Sequence, residues 1–169
     1  MKSTGFLWGV VSLGGFLWIT GCIKQENFPD VPEIGFQSYF NIYDTGQYAI
    51  RGVLTISFQD GNGDIGLENR DTLPPYDRSG PYYYNYIISY FEKQNGQFVK
   101  IDLDPPFSYR IPVLSPFYPG KAIKGIITDT LDLNPAPLFD TIRLEAFIYD
   151  RALNKSNVIT TPEIILRRP

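Results

Sequence analysis

The chain has 169 residues, 15 of them basic and 18 acidic, for a net charge of −3. That balance, with no lysine and arginine cluster, argues against nucleic acid as a partner. Histidine is absent and cysteine occurs once, at Cys22, which removes the usual general base near neutral pH, the commonest zinc or copper ligand and the standard partner of a serine or cysteine nucleophile. No Gly-x-Ser-x-Gly or Ser-x-x-Lys stretch occurs either. Carboxylate pairs such as Asp102 with Asp104, or Asp129 with Asp132, could in principle serve a glycosidase. They read more simply as solvated acids of turns and strand ends, so the chain is not expected to be an enzyme.

The first element is "MKSTGFLWGVVSLGGFLWITGC": one lysine, an uncharged apolar stretch from Gly5 to Ile19, then Thr20, Gly21 and Cys22. The order of charge, apolar run and small residues reads as an export signal over residues 1–21. The run is shorter than the roughly 20 residues a membrane span needs, and its glycines weaken a helix. Ile19-Thr20-Gly21-Cys22 resembles the lipobox of bacterial lipoproteins, in which cleavage precedes the cysteine and the sulfur carries a diacylglycerol. That resemblance makes Cys22 the lipidation site and the membrane a partner held through an N-terminal lipid. Residues 22–33 follow as a polar, proline-bearing tether. No second cysteine remains for a disulfide, so residues 34–169 must be stabilised by one packed core.

From Ile34 onward the chain reads as strand after strand. "IGFQSYFNIY" puts Ile34, Phe36, Ser38 and Phe40 on one face, and "YAIRGVLTISF" does the same with Leu54, Ile56 and Phe58, with Gly52 as a candidate bulge. "YYYNYIISYFEKQNGQFVKIDL" reads as a hairpin turning at Asn95-Gly96. "FSYRIPVL", "KAIKGIITDTL", "DTIRLEAFIYD" and "NVITTPEIIL" bring the number to about eight candidate strands. In "DTIRLEAFIYD" the alternation of Ile142, Leu144, Ala146 and Ile148 against Arg143 and Glu145 is that of a half-buried antiparallel strand. Fourteen prolines and 15 glycines supply turns, and no window keeps a helical apolar period. The expected fold is all-β, an immunoglobulin-like antiparallel β-sandwich.

One loop stands out chemically. "FQDGNGDIGLENRD" spaces Asp60, Asn62 and Asp64 at alternate positions, with Glu68 at the ninth place and Asp71 at the twelfth. Calcium takes six to eight oxygens, and this spacing can aim several at one centre. An EF-hand is excluded, because Ile65 replaces the glycine at the sixth place, Asp71 replaces the bidentate glutamate, and the flanks are not helices. The same residues can also build a metal-free turn, with Gly61 and Gly63 permitting positive φ and the Asx side chains bonding nearby amides. Both readings stand at this level.

"FQDGNGDIGL" near the start and "AFIYDRALNKSN" near the end together resemble a group of Bacteroidota outer-membrane lipoproteins. In that group an Asp-Gly-Asx-Gly-Asp-Ile-Gly loop follows an early strand of an immunoglobulin-like fold, and an Asp-Arg-Ala-x-Asn-x-Ser-Asn turn joins the last two strands. The resemblance implies location and fold rather than activity, and leaves the periplasmic and cell-surface sides both open. In immunoglobulin order the loops starting at Asp60 and Asp150 emerge at the same end, where Asp150, Asn154 or Asn157 would complete the acidic loop. "SPFYPG", with Phe117 and Tyr118, would join them there. These aromatics, with Tyr82, Tyr84 and Tyr86 of "PYYYNYIISYF", form the candidate binding surface; the alternative is a central strand with a tyrosine-lined outer face. The expected function is a non-enzymatic accessory or interaction subunit of an outer-membrane complex, with an outer-membrane protein as partner. The alternative is a surface module for glycan or peptide, assisted by calcium.

Overall fold

A computed structural model of the protein describes residues 28–114, 120–133 and 137–167. The expected signal, Cys22, most of the tether and the Phe117–Tyr118 pair lie outside them. Eight strands follow in chain order: β1 Glu33–Tyr43, β2 Ala49–Asp60, β3 Tyr86–Gln94, β4 Gln97–Ile101, β5 Ile123–Asp132, β6 Thr141–Ile148, β7 Ile159–Thr160 and β8 Ile164–Ile165. No helix occurs among the described residues, and none is therefore long and apolar enough to cross a membrane.

Every pairing between these strands is antiparallel. One sheet has the order β1-β2-β5, the other β4-β3-β6-β7, with β8 also on β6. The inward faces share one core, in which Leu54 and Ile56 of β2 meet Tyr86, Ile88 and Tyr90 of β3 and Ile142, Leu144, Ala146 and Ile148 of β6. The molecule is a β-sandwich with immunoglobulin-like strand order. The strict alternation of β6 is the reason it sits centrally, since a strand with one wholly apolar face is stable only with a sheet packed over it.

The β3–β4 hairpin turns where the sequence indicated. Asn95 and Gly96 have φ of 50° and 83°, the left-handed pair that a two-residue turn needs to match strand twist.

Several expectations are corrected. In β1 the pairing with β2 slips between Phe36 and Ser38. A bulge places one extra residue, Gln37, in the strand and inverts its parity. Ser38 and Phe40 consequently face outward, while Tyr39 and Tyr43 pack on the core. Gly52 is not a bulge; the β2 irregularity falls at Ile50, and Gly52 is the floor on which the Tyr39 ring lies, with no room for a β-carbon. "NVITTPEIIL" is two short strands, broken around Pro162, which has no amide to give to a ladder. "FSYRIPVL" is no strand: it contributes only the isolated bridges Tyr86–Tyr109 and Leu67–Pro112. Tyr86, read as surface, is 1% exposed. The tyrosine parity of β3 lines the core and not the outer face.

Candidate functional site

The acidic loop begins where β2 runs out. Asp60 ends the strand on its inward parity and is wholly buried. The chain then turns back on itself: Gly61 N–H donates to Pro29 O at 2.8 Å, Asp64 N–H to Asn62 Oδ1 at 3.2 Å, and Ile65 N–H to Asp60 Oδ2 at 3.3 Å. Gly63 has φ of 68° and lies against the Lys121 carbonyl, a close approach only glycine permits. Ile65 and Leu67 are then buried, and Leu67 N–H reaches Ile111 O at 2.9 Å. Those two apolar anchors fix the loop in place.

The second motif follows β6. Asp150, 1% exposed, accepts Asn154 N–H on Oδ1 at 2.7 Å and Asn154 Nδ2 on Oδ2 at 2.8 Å. Leu153, at φ of 68°, closes this turn. Ser156 Oγ takes the Ile148 amide at 2.9 Å, and Asn157 bonds both the N–H and the C=O of Ile34 at 2.8 Å. The motif is therefore a structural clasp as well, tying the last hairpin to the first strand.

The two motifs meet. Arg151 N–H donates to Asp64 O at 3.2 Å, and the Arg151 guanidinium pairs with Asp71 at 2.8 Å. Tyr76 donates its hydroxyl hydrogen to Arg151 O, and Asp71 Oδ2 takes the Glu68 amide at 2.8 Å. Burial alone would raise the Asp71 pKa, but the Glu68 amide and Arg151 together hold it below the usual carboxylate range. The whole β2–β3 connection is gathered by Arg110, whose guanidinium donates to Tyr83 O at 2.7 Å, Asp71 O at 3.1 Å, Glu68 O at 3.3 Å and Tyr76 O at 3.4 Å, with the Tyr83 ring 4.9 Å away. The backbone of "FSYRIPVL" meanwhile bonds to Tyr86 on one side and Leu67 on the other, and Pro112 has no amide with which to continue either ladder.

Asp60, Asp64 and Asp150 lie close enough at this junction for the charge of one to bear on another. Burial raises the Asp60 pKa, and the charge of Asp150 adds to it against the backbone amides that lower it. Asp64 is pushed up to about 6 by burial first, then by Asp150 and Asp60. Each of Asp60 and Asp64 keeps one oxygen, Oδ1, buried and without a hydrogen-bond partner. Glu68 does not join them; its carboxylate pairs with Arg70. Asn62 spends its oxygen on the Asp64 amide, and Asn157 belongs to Ile34. Of the residues read as calcium ligands, Asp60, Asp64 and Asp150 influence one another by charge, Asn62 is used by the Asp64 amide, and Glu68 is in a surface ion pair with Arg70. Among the described residues no group of three or more acidic side chains is placed to hold a metal ion.

The other candidates disperse. Tyr82 and Tyr84 are half-buried; Tyr82 packs edge-on against Tyr149 at 5.0 Å and Tyr84 against Tyr83 at 4.9 Å. Asp129 and Asp132 lie on opposite faces of β5 and cannot act as a pair, while Asp102 stands in solvent. Asp129 instead points inward, where burial raises its pKa and its charge helps raise those of Tyr86 and Tyr109. Two clefts, of about 150 Å³ beside Phe107 and about 230 Å³ between Phe40 and Ile164, are not lined by any of the three clustered aspartates. Sequence reasoning missed Arg110 and Tyr76, and took Asp129 for a solvated strand-end acid where it is turned inward. Arg151 carried a signal, standing next to Asp150 in the second motif; Arg110 carried none.

Comparison of the chain with protein-family models, curated proteins and solved structures finds no match.

Proposed function

We propose that the protein is a non-enzymatic, lipid-anchored envelope protein, acting as an interaction or accessory subunit of an outer-membrane complex. The observation that carries this reading is the sequence Ile19-Thr20-Gly21-Cys22, which closes a short apolar run and stands just ahead of a tether and a single β-sandwich. Two acyl chains or more would hold such a protein stably at a membrane where one would not. The domain adds a rigid end: the connections after β2 and β6 are clamped to each other by Arg151, Asp71, Tyr76 and Arg110. A preorganised surface of this kind loses little entropy when it docks, which suits a protein partner. Tyr82 and Tyr84, half-buried on the same connection, would contribute contact area there.

The test has two parts. Cys22→Ser should abolish incorporation of a labelled fatty acid and release the protein from membranes. Gentle detergent extraction of the unaltered protein should then give one defined complex with an outer-membrane protein. Recovery of the protein alone, together with binding on glycan arrays, would refute the subunit reading in favour of a ligand-binding module.

A further inference from the structure

We infer that the free edge of β5 is the docking site for a second copy of this chain, the two β5 strands pairing antiparallel about a two-fold axis at Thr128. The inference concerns a different surface from the lipid anchor and is independent of the function proposed above.

A strand at the border of a sheet shows a row of unpaired amides and carbonyls, and proteins blunt such borders with bulges, short strands, proline or cover. The other borders of this sandwich are treated in that way. β1 carries the bulge at Gln37 and has the N–H and C=O of Ile34 taken by Asn157. β4 has five residues, and β7 and β8 have two each on either side of Pro162. β5 is the exception: its ten residues, none of them proline, pair with β2 without a break in register, and among the described residues no strand lies on its other side. Which groups point there follows from the ladder. Leu133 N–H donates to Ile50 O at 2.9 Å, so odd-numbered residues of β5 turn their backbone to β2 and even-numbered ones turn theirs away, since the sense alternates along an antiparallel pair. The amides and carbonyls of Ile126, Thr128 and Thr130 therefore face outward. Their side chains are exposed as well, Ile126 to 67%. The Tyr109 hydroxyl reaches Thr130 O at 3.5 Å, a contact long enough to yield to an amide.

The sequence of the strand selects its partner. Two copies can exchange backbone hydrogen bonds here only between even-numbered residues, and the register centred on Thr128 opposes Thr128 to its own copy, Ile126 to Thr130 and Lys124 to Asp132, the last two pairs each occurring on both sides of the axis. Opposite charges facing each other across a ladder stabilise it. A shift of two residues in either direction separates Lys124 from Asp132, so charge fixes the register. At the axis the Thr128 hydroxyl already lies 3.2 Å from that of Thr55 on β2, and the threonine pair of one copy would meet that of the other. An inward charge on a border strand ordinarily resists a further neighbour. Asp129 Oδ2, however, is already buried without a partner, so a second strand adds little to that cost. One strand pair is a small interface, which makes the dimer a reversible one.

The experiment follows the full chain in detergent by light scattering, corrected for bound detergent, over a dilution series. A dimer that dissociates on dilution is expected. Lys124→Asp alone, or Asp132→Lys alone, sets like charges opposite each other on both sides of the axis and should weaken the dimer about tenfold or more. The two substitutions together re-create both pairs and should restore it, a rescue that no folding defect would give. A crosslink reads the register. With Cys22→Ser removing the other thiol, Thr128→Cys should form an intermolecular disulfide under mild oxidation, because the roughly 5.5 Å between α-carbons of a hydrogen-bonded pair lies within disulfide reach. Thr55→Cys, one strand in from the border, should not. A monomer at every concentration with no crosslink at position 128 overturns the inference, as does a dimer that either single reversal leaves intact or that the double reversal fails to restore. None of these outcomes touches the membrane-subunit reading.

Discussion

Arg110→Ala tests whether one side chain holds the β2–β3 connection in place. Its guanidinium serves four carbonyls, two of them at 2.7 and 3.1 Å and two at 3.3 and 3.4 Å. A hydrogen bond from a charged donor is worth about 1.5 to 3 kcal/mol. Counting only the two shorter bonds, and allowing the freed carbonyls to rehydrate in a half-buried loop, gives a loss of about 3 kcal/mol. Because these bonds join loop to loop, the loss appears first as local opening. Hydrogen exchange followed by mass spectrometry should show amides of residues 67–83 exchanging about 100-fold faster, since about 1.4 kcal/mol corresponds to tenfold. Amides of β3 and β6 should change far less. Arg110→Lys should recover little, because a compact ammonium lacks the planar fork that reaches several carbonyls at once. Unchanged exchange across residues 67–83 in Arg110→Ala would refute the reasoning, and so would an equal acceleration in every strand.

Other measurements follow from the same geometry. Gly52→Val drives a side chain into the Tyr39 ring and should lower stability by about 1 to 3 kcal/mol in denaturant titration, the usual cost of overpacking. Tyr86→Phe removes a buried hydroxyl without a partner, so stability should hold or rise slightly, whereas Tyr86→Ala should cost about 3 to 5 kcal/mol by cavity formation. Asp64 gives a pH dependence whose sign is set by its raised pKa. The folded state holds the proton more tightly, so its stabilising contribution is complete below the ordinary value of 3.8 and is lost as pH climbs through about 6. At about 1.4 kcal/mol per tenfold of proton affinity, halved for partial exposure, the loss is about 1.5 kcal/mol. The facing groups are Asp60, Asp150 and the Tyr76 hydroxyl, and Asp64→Asn should flatten this part of the stability profile.

What was legible in the sequence is what depends on near neighbours. Strict alternation in β6, the Asn95-Gly96 turn and the apolar parity of β2 are local codes, and each appears in the fold where the residues placed it. Alternation fails where one residue is inserted: nothing in "FQSY" distinguishes a straight strand from a bulged one, and the slip at Gln37 is decided by which register lets Tyr39 lie on Gly52 across the sheet. Tyr86 is similar. Its parity was readable, but which parity faces inward depends on the sheet packed above it.

The site divides in the same way. The spacing of Asp60, Asn62 and Asp64 marked a loop that turns on its own side chains, and strand order alone put Asp150 at the same end. Whether those acids touch, and what else they touch, is a matter of long-range placement. Asp71 and Glu68 share the loop with Asp60, yet one is taken by Arg151 and the other by Arg70, while Asp150, some 90 positions further along, becomes the partner that matters. The hub of the arrangement, Arg110, lies in a stretch that reads as a strand. A sequence records which donors and acceptors a chain owns. Which of them are left buried without a partner, as Asp60 Oδ1 and Asp64 Oδ1 are, is decided only when two distant connections close over each other and exclude the water that would have served them.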